Sequence, residues 1–282
     1  MTPIGQPERI TQNRVIALFL CELGYRYLGD WTDRAGNSNI EEDVLTSYLS
    51  DKGGYTPAQI GVALHKLRTE ADHHGRTLYA NNREVYKLLR YGVPVKIEAG
   101  QVAETVHLID WHNPTRNDFA IAQEVTLKGS RERRPDIVLY LNGIAVAVLE
   151  LKNSRVSIGD GIRQSLSNQQ SEFNAWFFST IQFVFAGNDS EGLQYGAIGT
   201  PEKYFLRWKE DEADNRRFKL DKYLLKMCEK HRLIELIYDF VLFDGGIKKL
   251  PRVHQYFGIK AAQEYVRDRK STRLNSSHES PS

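Results

Sequence analysis

Apolar residues recur every three or four positions through the first ninety residues, which is the spacing of helices that bury one face. Gly24 follows the first of these stripes, as expected at a helix end, and capping signals open the next two helices. We therefore predict a helical region over residues 1–92. The signals are the stripe of Val15, Ile16, Phe19, Leu20 and Leu23, the capping box at 38–41, the pair Thr56-Pro57 and a short helix at 84–90.

Short β-rich runs separated by turn residues replace the helical spacing after residue 92. Two strongly apolar runs flank Asn142-Gly143, a pair that is a specific signal for a β-hairpin. Besides the two arms of this hairpin, we predict further strands and helices in alternation. The strands lie at 93–98, 105–110, 119–127 and 181–186, and the helices at 159–178 and 220–243.

Composition narrows the classes of protein that the chain can represent. Its 282 residues are 41% hydrophobic and 26% charged, which is ordinary globular composition, and a net charge of +2 excludes a polycation but not a local basic cleft. Cys21 and Cys228 are far apart, which excludes a disulfide scaffold or a cysteine-rich zinc site and favours a cytoplasmic location. No apolar run approaches the roughly 20 residues of a membrane helix, and we expect no signal peptide and no membrane association.

Three ionisable residues collect at the open end of the predicted hairpin. With a two-residue turn, opposed residue numbers sum to 285, so Asp136 faces Leu149, one position from Glu150. Glu150 and Lys152 are two positions apart on one strand and therefore point to the same face. A bulge or twist would bring Asp136 beside Glu150, so that two carboxylates and an ammonium would lie within about 5–8 Å.

Charges that interrupt an apolar strand are costly unless they are paired or bind an ion. Two converging carboxylates suit Mg²⁺, which prefers one or two carboxylates together with water and phosphate oxygens. Lys152 would then hold or deprotonate a water, or stabilise charge on a phosphate. The alternative is that all three residues are strand-end charges that face water, with Lys152 neutralising Glu150.

Pro135-Asp136, thirteen intervening residues and Glu150-Leu151-Lys152 resemble the PD-(D/E)xK motif of the restriction-endonuclease-like superfamily. That motif is short, but its surroundings are similar to the amino-terminal region of the restriction (R, HsdR) subunit of type I restriction-modification enzymes. The likeness covers residues 11–269 approximately. The segments that carry it are 117–122, 128–129, 134–140, 142–145, 148–152, 161–164, 178–180, 186–188 and 201–204.

The resemblance implies an α/β fold, with a restriction-endonuclease-like mixed central sheet flanked by helices. It places the nuclease core at 93–205, after residues 1–92 as a helical elaboration of the same domain. Residues 206–270 are then a helical connection to a truncated motor domain. Residues 271–282 are polar and lack a pattern, so we expect a tail that is disordered or was added in cloning.

The resemblance also implies roles for single residues. Asp136, Glu150 and Lys152 would be catalytic, with the two carboxylates as Mg²⁺ ligands and Lys152 as the catalytic lysine. Gln164 matches the glutamine of a Gln-x-x-x-Tyr motif that contacts DNA in this family. Asn168 occupies the tyrosine position, whereas 169–173 has the same spacing with an aromatic end, so the aromatic partner of Gln164 stays open.

A basic run leads directly into Asp136, offset only by Glu132. Beside a phosphodiester site such a run favours contacts to backbone phosphates, and the alternative is a solvated loop. Glu8 and Glu124 could add a carboxylate to the site or lie on the surface. The residues that we predict to bind DNA in this run are Lys128, Arg131, Arg133 and Arg134.

These observations predict a type I site-specific deoxyribonuclease fragment that hydrolyses DNA phosphodiester bonds with Mg²⁺. Its expected partners are double-stranded DNA and the methyltransferase (M) and specificity (S) subunits of a restriction complex. The chain has no phosphate-binding loop, so ATP would bind only to the full-length protein. The alternatives are a repair or junction-resolving nuclease of the same superfamily, and a non-catalytic module that binds DNA or docks subunits.

Overall fold

The computed structural model describes residues 6–276 apart from 99, 101, 130, 211–213, 215 and 217. The strands in this part are β1 (Arg26–Asp30), β2 (Val93–Val95), β3 (Glu104–Val106), β4 (Phe119–Gln123), β5 (Ile137–Leu141), β6 (Ile144–Leu151), β7 (Phe183–Asn188), β8 (Gly192–Gly196), β9 (Leu206–Arg207), β10 (Leu242–Asp244) and β11 (Ile247–Lys249). The helices are α1 (Gln6–Cys21), α2 (Glu42–Asp51), α3 (Pro57–Ala71), α4 (Leu78–Tyr91), α5 (Ile158–Asn168), α6 (Lys219–Cys228), α7 (Lys230–Phe240) and α8 (Val253–Ser276).

One seven-stranded sheet organises the molecule, in the order β1-β4-β5-β6-β7-β8-β9. The pairs β1–β4 and β6–β7 are parallel and the other neighbours are antiparallel, so the sheet is mixed. Two separate hairpins, β2–β3 and β10–β11, lie outside it. This architecture confirms the predicted α/β class with a central mixed sheet flanked by helices.

Helices cover both faces of the sheet. On one face, α5 packs against β6 and β7, and its Ile162 joins a core with Val148 and Val184. On the other face, residues of α1 to α4, α6 and α7 form a larger core with the opposite side chains of the strands. Because both faces are covered, β6 is buried at all eight positions and carries no alternation of polar and apolar residues.

The capping signals differ in how closely the helices follow them. Thr56 caps α3 as predicted, and the cap is a complete capping box: the Thr56 hydroxyl accepts from the Gln59 amide, and the Gln59 side chain accepts from the Thr56 amide at 2.9 Å. At 38–41 the helix instead begins at Glu42, with Glu41 as the N-cap. Glu41 accepts from the Ser38 amide at 3.1 Å, but the Ser38 hydroxyl accepts from Ile40, so only half of that box forms.

Two features of the fold correct the element predictions, one long-range and one local. The region 1–92 is not wholly helical, because β1 inserts beside β4 as a parallel edge strand. The predicted helix at 220–243 is two helices, broken at Glu229. The backbone of Glu229 is non-helical, with ψ of 135°, and its carboxylate accepts from the amides of His231 and Arg232, which starts α7 anew.

Several boundaries also shift. The helix predicted at 159–178 ends at Asn168, and the segment 206–270 holds the sheet strand β9 and the β10–β11 hairpin as well as helices. Helix α8 extends to Ser276, so the prediction of a disordered tail is wrong for 271–276, whereas an origin of 271–282 in cloning stays a prediction; 277–282 lie outside the described residues. None of the helices in the described part of the chain is long and apolar enough to cross a membrane.

Candidate active site

The β5–β6 hairpin turns at Asn142-Gly143, as the sequence predicts. Both residues have positive φ, 53° and 84°, which is the requirement of a type I′ turn. The Asn142 side chain is fully buried and donates to the Leu108 carbonyl, while it accepts from the Asp118 amide. A Cβ at Gly143 would lie 2.7 Å from the Glu41 carbonyl oxygen, so the turn packs directly against the start of α2 and leaves no room for a side chain.

A bulge in β6 sets which side chains meet at the open end of the hairpin. Near the turn, Tyr140 pairs with Ala145, but the next pair is Leu139 with Ala147, which leaves Val146 as an extra residue. Beyond the bulge opposed residue numbers sum to 286, as in the pair of 137 with 149. The shifted register therefore places Asp136 across from Glu150 and on the same face of the sheet.

The two carboxylates are held from different sides. Asp136 Oδ2 accepts from the main-chain amide of Leu151 at 2.6 Å, and Glu150 Oε2 accepts from Nε2 of Gln164 on α5 at 2.9 Å. Helix α5 lies close over this face, since a Cβ at Gly161 would stand 3.5 Å from Cβ of Glu150. Glu150 is fully buried, and its second oxygen, Oε1, has no hydrogen-bond partner.

Burial of two carboxyl groups together raises the pKa of both. For Asp136, loss of solvation outweighs the Leu151 hydrogen bond and the attraction of Lys152, and the pKa rises to about 7. For Glu150, burial and then the charge of Asp136 raise the pKa well above its ordinary value. A pair of this kind is poorly stabilised as two anions without a cation, and raised pKa values of this origin are typical of functional sites.

Lys152 provides the positive charge of the site. Its Nζ lies 3.4 Å from Oε1 of Glu8 on α1, and its side chain is 14% exposed. Burial lowers the pKa of Lys152, but the negative charges of Asp136, Glu150 and Glu8 outweigh this effect and raise it. The structure thus brings Glu8 to Lys152, and Glu8 is one of the two positions that the sequence left open.

Glu124 also reaches the site. Its carboxylate pairs with Nε of Arg134 at 2.7 Å and accepts from Nε2 of Gln12 at 2.9 Å. Gln12 lies on α1 and carries no motif that sequence reasoning could have used. Its position beside the site follows only from the packing of α1 against β6.

These side chains line an open cleft of about 920 Å³, with Glu150 lying behind its wall rather than on it. The lining is polar and carries both signs of charge, which suits a charged and hydrated ligand rather than an apolar one. The residues around it are Glu8, Arg9, Gln12, Asn13, Asp30, Thr32, Asp33, Arg34, Gln123, Glu124, Glu132, Arg133, Arg134, Asp136, Lys152 and Gln164.

Of the four basic residues that we predict to bind DNA, Arg133 and Arg134 line the cleft, whereas Lys128 and Arg131 are exposed outside it. Arg133 lies 4.3 Å from the ring centroid of Phe173, and Arg131 lies 5.9 Å from the same ring. The basic loop is closed by a main-chain pair between Leu127 and Arg133 and rests on the segment after α5. It is therefore anchored rather than loosely solvated, and its contact with DNA stays a prediction.

The structure places Gln164 against Glu150 rather than free in the cleft. Asn168, at the position where the family motif has tyrosine, is buried and contacts neither carboxylate in the hydrogen bonds of this site. Phe173 packs under Arg133 instead of beside Gln164. No aromatic partner of Gln164 is therefore assigned.

The donor set fits a divalent cation that completes its shell with water and phosphate. The described residues contain no group of three or more His, Cys, Asp and Glu side chains able to hold a metal on their own. Asp136 and Glu150 would supply the one or two carboxylates that Mg²⁺ takes in phosphate-processing sites. The buried and unpartnered Oε1 of Glu150 is the atom that such an ion would satisfy.

Comparison with known proteins gives one consistent family. The sequence model of a family described as type I restriction enzyme R protein N terminus matches residues 5–203. A putative type I restriction enzyme MjaVIIIP endonuclease subunit of Methanocaldococcus jannaschii is 25% identical over 262 residues, covering 88% of this chain and 24% of that protein. The type I restriction enzyme HindI endonuclease subunit of Haemophilus influenzae is 28% identical over 208 residues, covering 66% of this chain and 19% of that protein. The chain thus spans about a fifth to a quarter of the length of these relatives.

Proposed function

Since the chain belongs to the family of type I restriction enzyme R protein N termini, we propose that it is the metal-dependent DNA endonuclease domain of such a subunit. The observation that carries this proposal is the convergence of Asp136, Glu150 and Lys152 on one face, with a buried carboxylate oxygen left without a partner. The names of the relatives, which are endonuclease subunits, agree with it. In the complete enzyme the activity would be that of a type I site-specific deoxyribonuclease.

Each residue has a distinct part in the proposed hydrolysis. Asp136 and Glu150 would hold Mg²⁺, and Gln164 fixes the rotamer of Glu150 through Oε2 so that Oε1 stays available. When bound, the ion supplies Lewis-acid polarisation of a phosphate oxygen and a lower pKa for a water. Because its pKa is raised, Lys152 is an ammonium at neutral pH and acts as a hydrogen-bond donor that orients water and stabilises negative charge on the phosphate.

The rest of the proposal concerns the whole protein. Translocation of DNA driven by ATP would belong to segments of the full-length R subunit outside this chain. The partners would be double-stranded DNA and the M and S subunits, with sequence recognition in the S subunit. The two cysteines are free thiols, which supports the cytoplasmic location that this role requires.

The test uses the complete restriction complex and two assays. Glu150→Ala and Lys152→Ala should abolish cleavage of a plasmid that carries the recognition site, while DNA-stimulated ATP hydrolysis continues at the wild-type rate. Lys209→Ala removes an exposed lysine that is not part of the cleft lining and should leave both activities unchanged.

The outcomes separate the proposal from its rivals. Cleavage that survives both substitutions would refute the assigned site and favour a module that binds DNA or docks subunits. A full-length gene without a phosphate-binding loop would favour a repair or junction-resolving nuclease. Loss of ATP hydrolysis together with cleavage would make the residues structural rather than catalytic.

A further inference from the structure

Gln12 joins α1 to Asp136, the residue that precedes β5. The residue is 8% exposed and lines the cleft. The two hydrogens of Nε2 are both used: one is donated to Oε1 of Glu124 at 2.9 Å and the other to the main-chain carbonyl of Asp136 at 3.2 Å. The side-chain amide of Gln12 thus connects the Glu124 carboxylate to the backbone of Asp136, a proposed metal ligand.

Glu124 has an unusual backbone where it meets Gln12. It follows the last residue of β4 and has a φ of 51°, the left-handed region that side chains other than Gly, Asn and Asp rarely adopt. Its own amide donates to the Asp136 carbonyl at 2.9 Å, and its carboxylate also binds Arg134. The strained residue is therefore held from three sides, and one of them is the backbone of Asp136.

The two donors meet at one atom. Both the Gln12 side chain and the Glu124 amide point at the carbonyl oxygen of Asp136, while the Leu151 amide binds the Asp136 carboxylate. The position of the Asp136 side chain is thus fixed on β6 through Leu151, and the position of its backbone is fixed by Gln12 and Glu124. Neither of these two residues belongs to the hydrophobic core on either face of the sheet.

We infer that Gln12 and Glu124 are positioning residues that hold Asp136 in the geometry needed to bind the metal. The inference rests on the proposed function for its metal, but the geometry it describes is present in the metal-free chain. Gln12 acts directly on the Asp136 carbonyl. Glu124 acts on the same carbonyl through its own amide and also through its bond to Gln12, so the effects of replacing the two residues should not add. If the two residues were only structural, their replacement would instead destabilise the whole sheet.

Native-state hydrogen exchange of the 282-residue chain, read by NMR, distinguishes the two roles without metal. Gln12→Leu keeps the size of the side chain and removes both donors. The amides of Glu124 and Leu151, which bind Asp136, should exchange about tenfold faster, the size expected for loss of a buried hydrogen bond. Amides in the middle of β6 and β7 should keep their rates, as should all amides in Ile10→Ala, an exposed position on the same helix.

A second variant keeps the test decisive if Gln12→Leu folds poorly. Glu124→Asn tolerates the left-handed backbone but is too short to reach Gln12, so it should accelerate the same two amides by a similar factor. The double variant should show no further acceleration. Unchanged rates at Glu124 and Leu151, or acceleration of all sheet amides together, would overturn the inference.

Titration with Mn²⁺ in the presence of a short DNA duplex then connects the geometry to the metal. The wild-type chain should bind the ion, and Gln12→Leu should weaken the affinity about tenfold while Ile10→Ala does not. Affinity equal in wild type and Gln12→Leu would refute the positioning role. Absence of binding by the wild type would refute the proposed metal site, and the exchange rates would still decide whether Gln12 positions Asp136.

Discussion

The stability of the metal-free chain should rise as the pH falls from 8 to 5.5, because Asp136 carries a raised pKa. A carboxyl whose pKa is higher in the folded state than in the unfolded state binds a proton preferentially on folding. Its contribution to stability is therefore absent above the folded pKa and grows as pH falls through that value toward the unfolded one. For Asp136 the window runs from about 7 to the ordinary value of 3.8.

The size of the effect follows from these two values. Each unit of difference between the folded and the unfolded pKa corresponds to 1.36 kcal/mol. The free energy of unfolding is therefore about 4 kcal/mol larger when Asp136 is protonated in both states than when it is ionised in both. Between pH 8 and 5.5, the part of this window that is accessible without general acid unfolding amounts to about 2 kcal/mol. Since the charge of Asp136 also raises the pKa of Glu150, a measurement at Asp136 includes some of the response of its neighbour.

The assay is urea unfolding at pH 8.0 and 5.5 with EDTA present, comparing the wild type with Asp136→Asn. The wild type should gain about 2 kcal/mol more than the variant on acidification, and the variant should be the more stable of the two at pH 8. Asp30→Asn is the matched control in the same cleft: burial alone would raise the pKa of Asp30, but hydrogen bonds from Thr32 and Gln123 lower it. Asp30→Asn should not reduce the gain in stability that the wild type shows between pH 8.0 and 5.5. Parallel pH profiles of the wild type and Asp136→Asn would refute the view that the carboxylates strain the metal-free fold.

Two further predictions concern charges elsewhere. Replacement of Arg131 and Arg133 by Ala should lower the salt slope of DNA binding by about 0.9 for each phosphate that the protein no longer neutralises, equally on two unrelated duplexes in fluorescence anisotropy; an unchanged slope would mean that the loop does not bind phosphate. Lys248→Met should destabilise the chain by about 2–4 kcal/mol in urea unfolding, because buried Lys248 donates to Asn82, Gln182 and the Ile181 carbonyl, and the variant leaves the side-chain oxygens of Asn82 and Gln182 unpaired; a stability equal to wild type would contradict this.

The arrangement of the site residues was predictable from the sequence wherever it depends on local geometry. The turn at Asn142-Gly143 requires residues that accept positive φ, and both are present. The spacing of Glu150 and Lys152 fixes their common face whatever the rest of the fold does. Only the relation of Asp136 to this face needed the structure, because it depends on a bulge whose position no residue type marks in a strand that is buried throughout.

The residues that surround the site could not be predicted, because distant segments bring them together. Gln12 precedes Asp136 by 124 positions and sits in a helix whose pattern shows only which face is buried. The break at Glu229 was missed for a different, local reason. Glutamate is an ordinary helix former, and only the hydrogen bonds that its carboxylate accepts from the amides of His231 and Arg232 reveal that a new helix starts there.

The extra residue at Val146 makes the active site depend on strand length as well as on residue identity. With five residues between Asp136 and the turn but six between the turn and Glu150, an uninterrupted register would place Asp136 across from Leu149 and turn Glu150 and Lys152 toward the other face. Deletion of Val146 would leave five residues on each arm and keep the two carboxylates opposite each other without a bulge, whereas one further residue in this part of β6 would need a second bulge to do so. Transplanting the motif with its thirteen-residue spacing into another hairpin with a two-residue turn would therefore require the bulge to be carried with it.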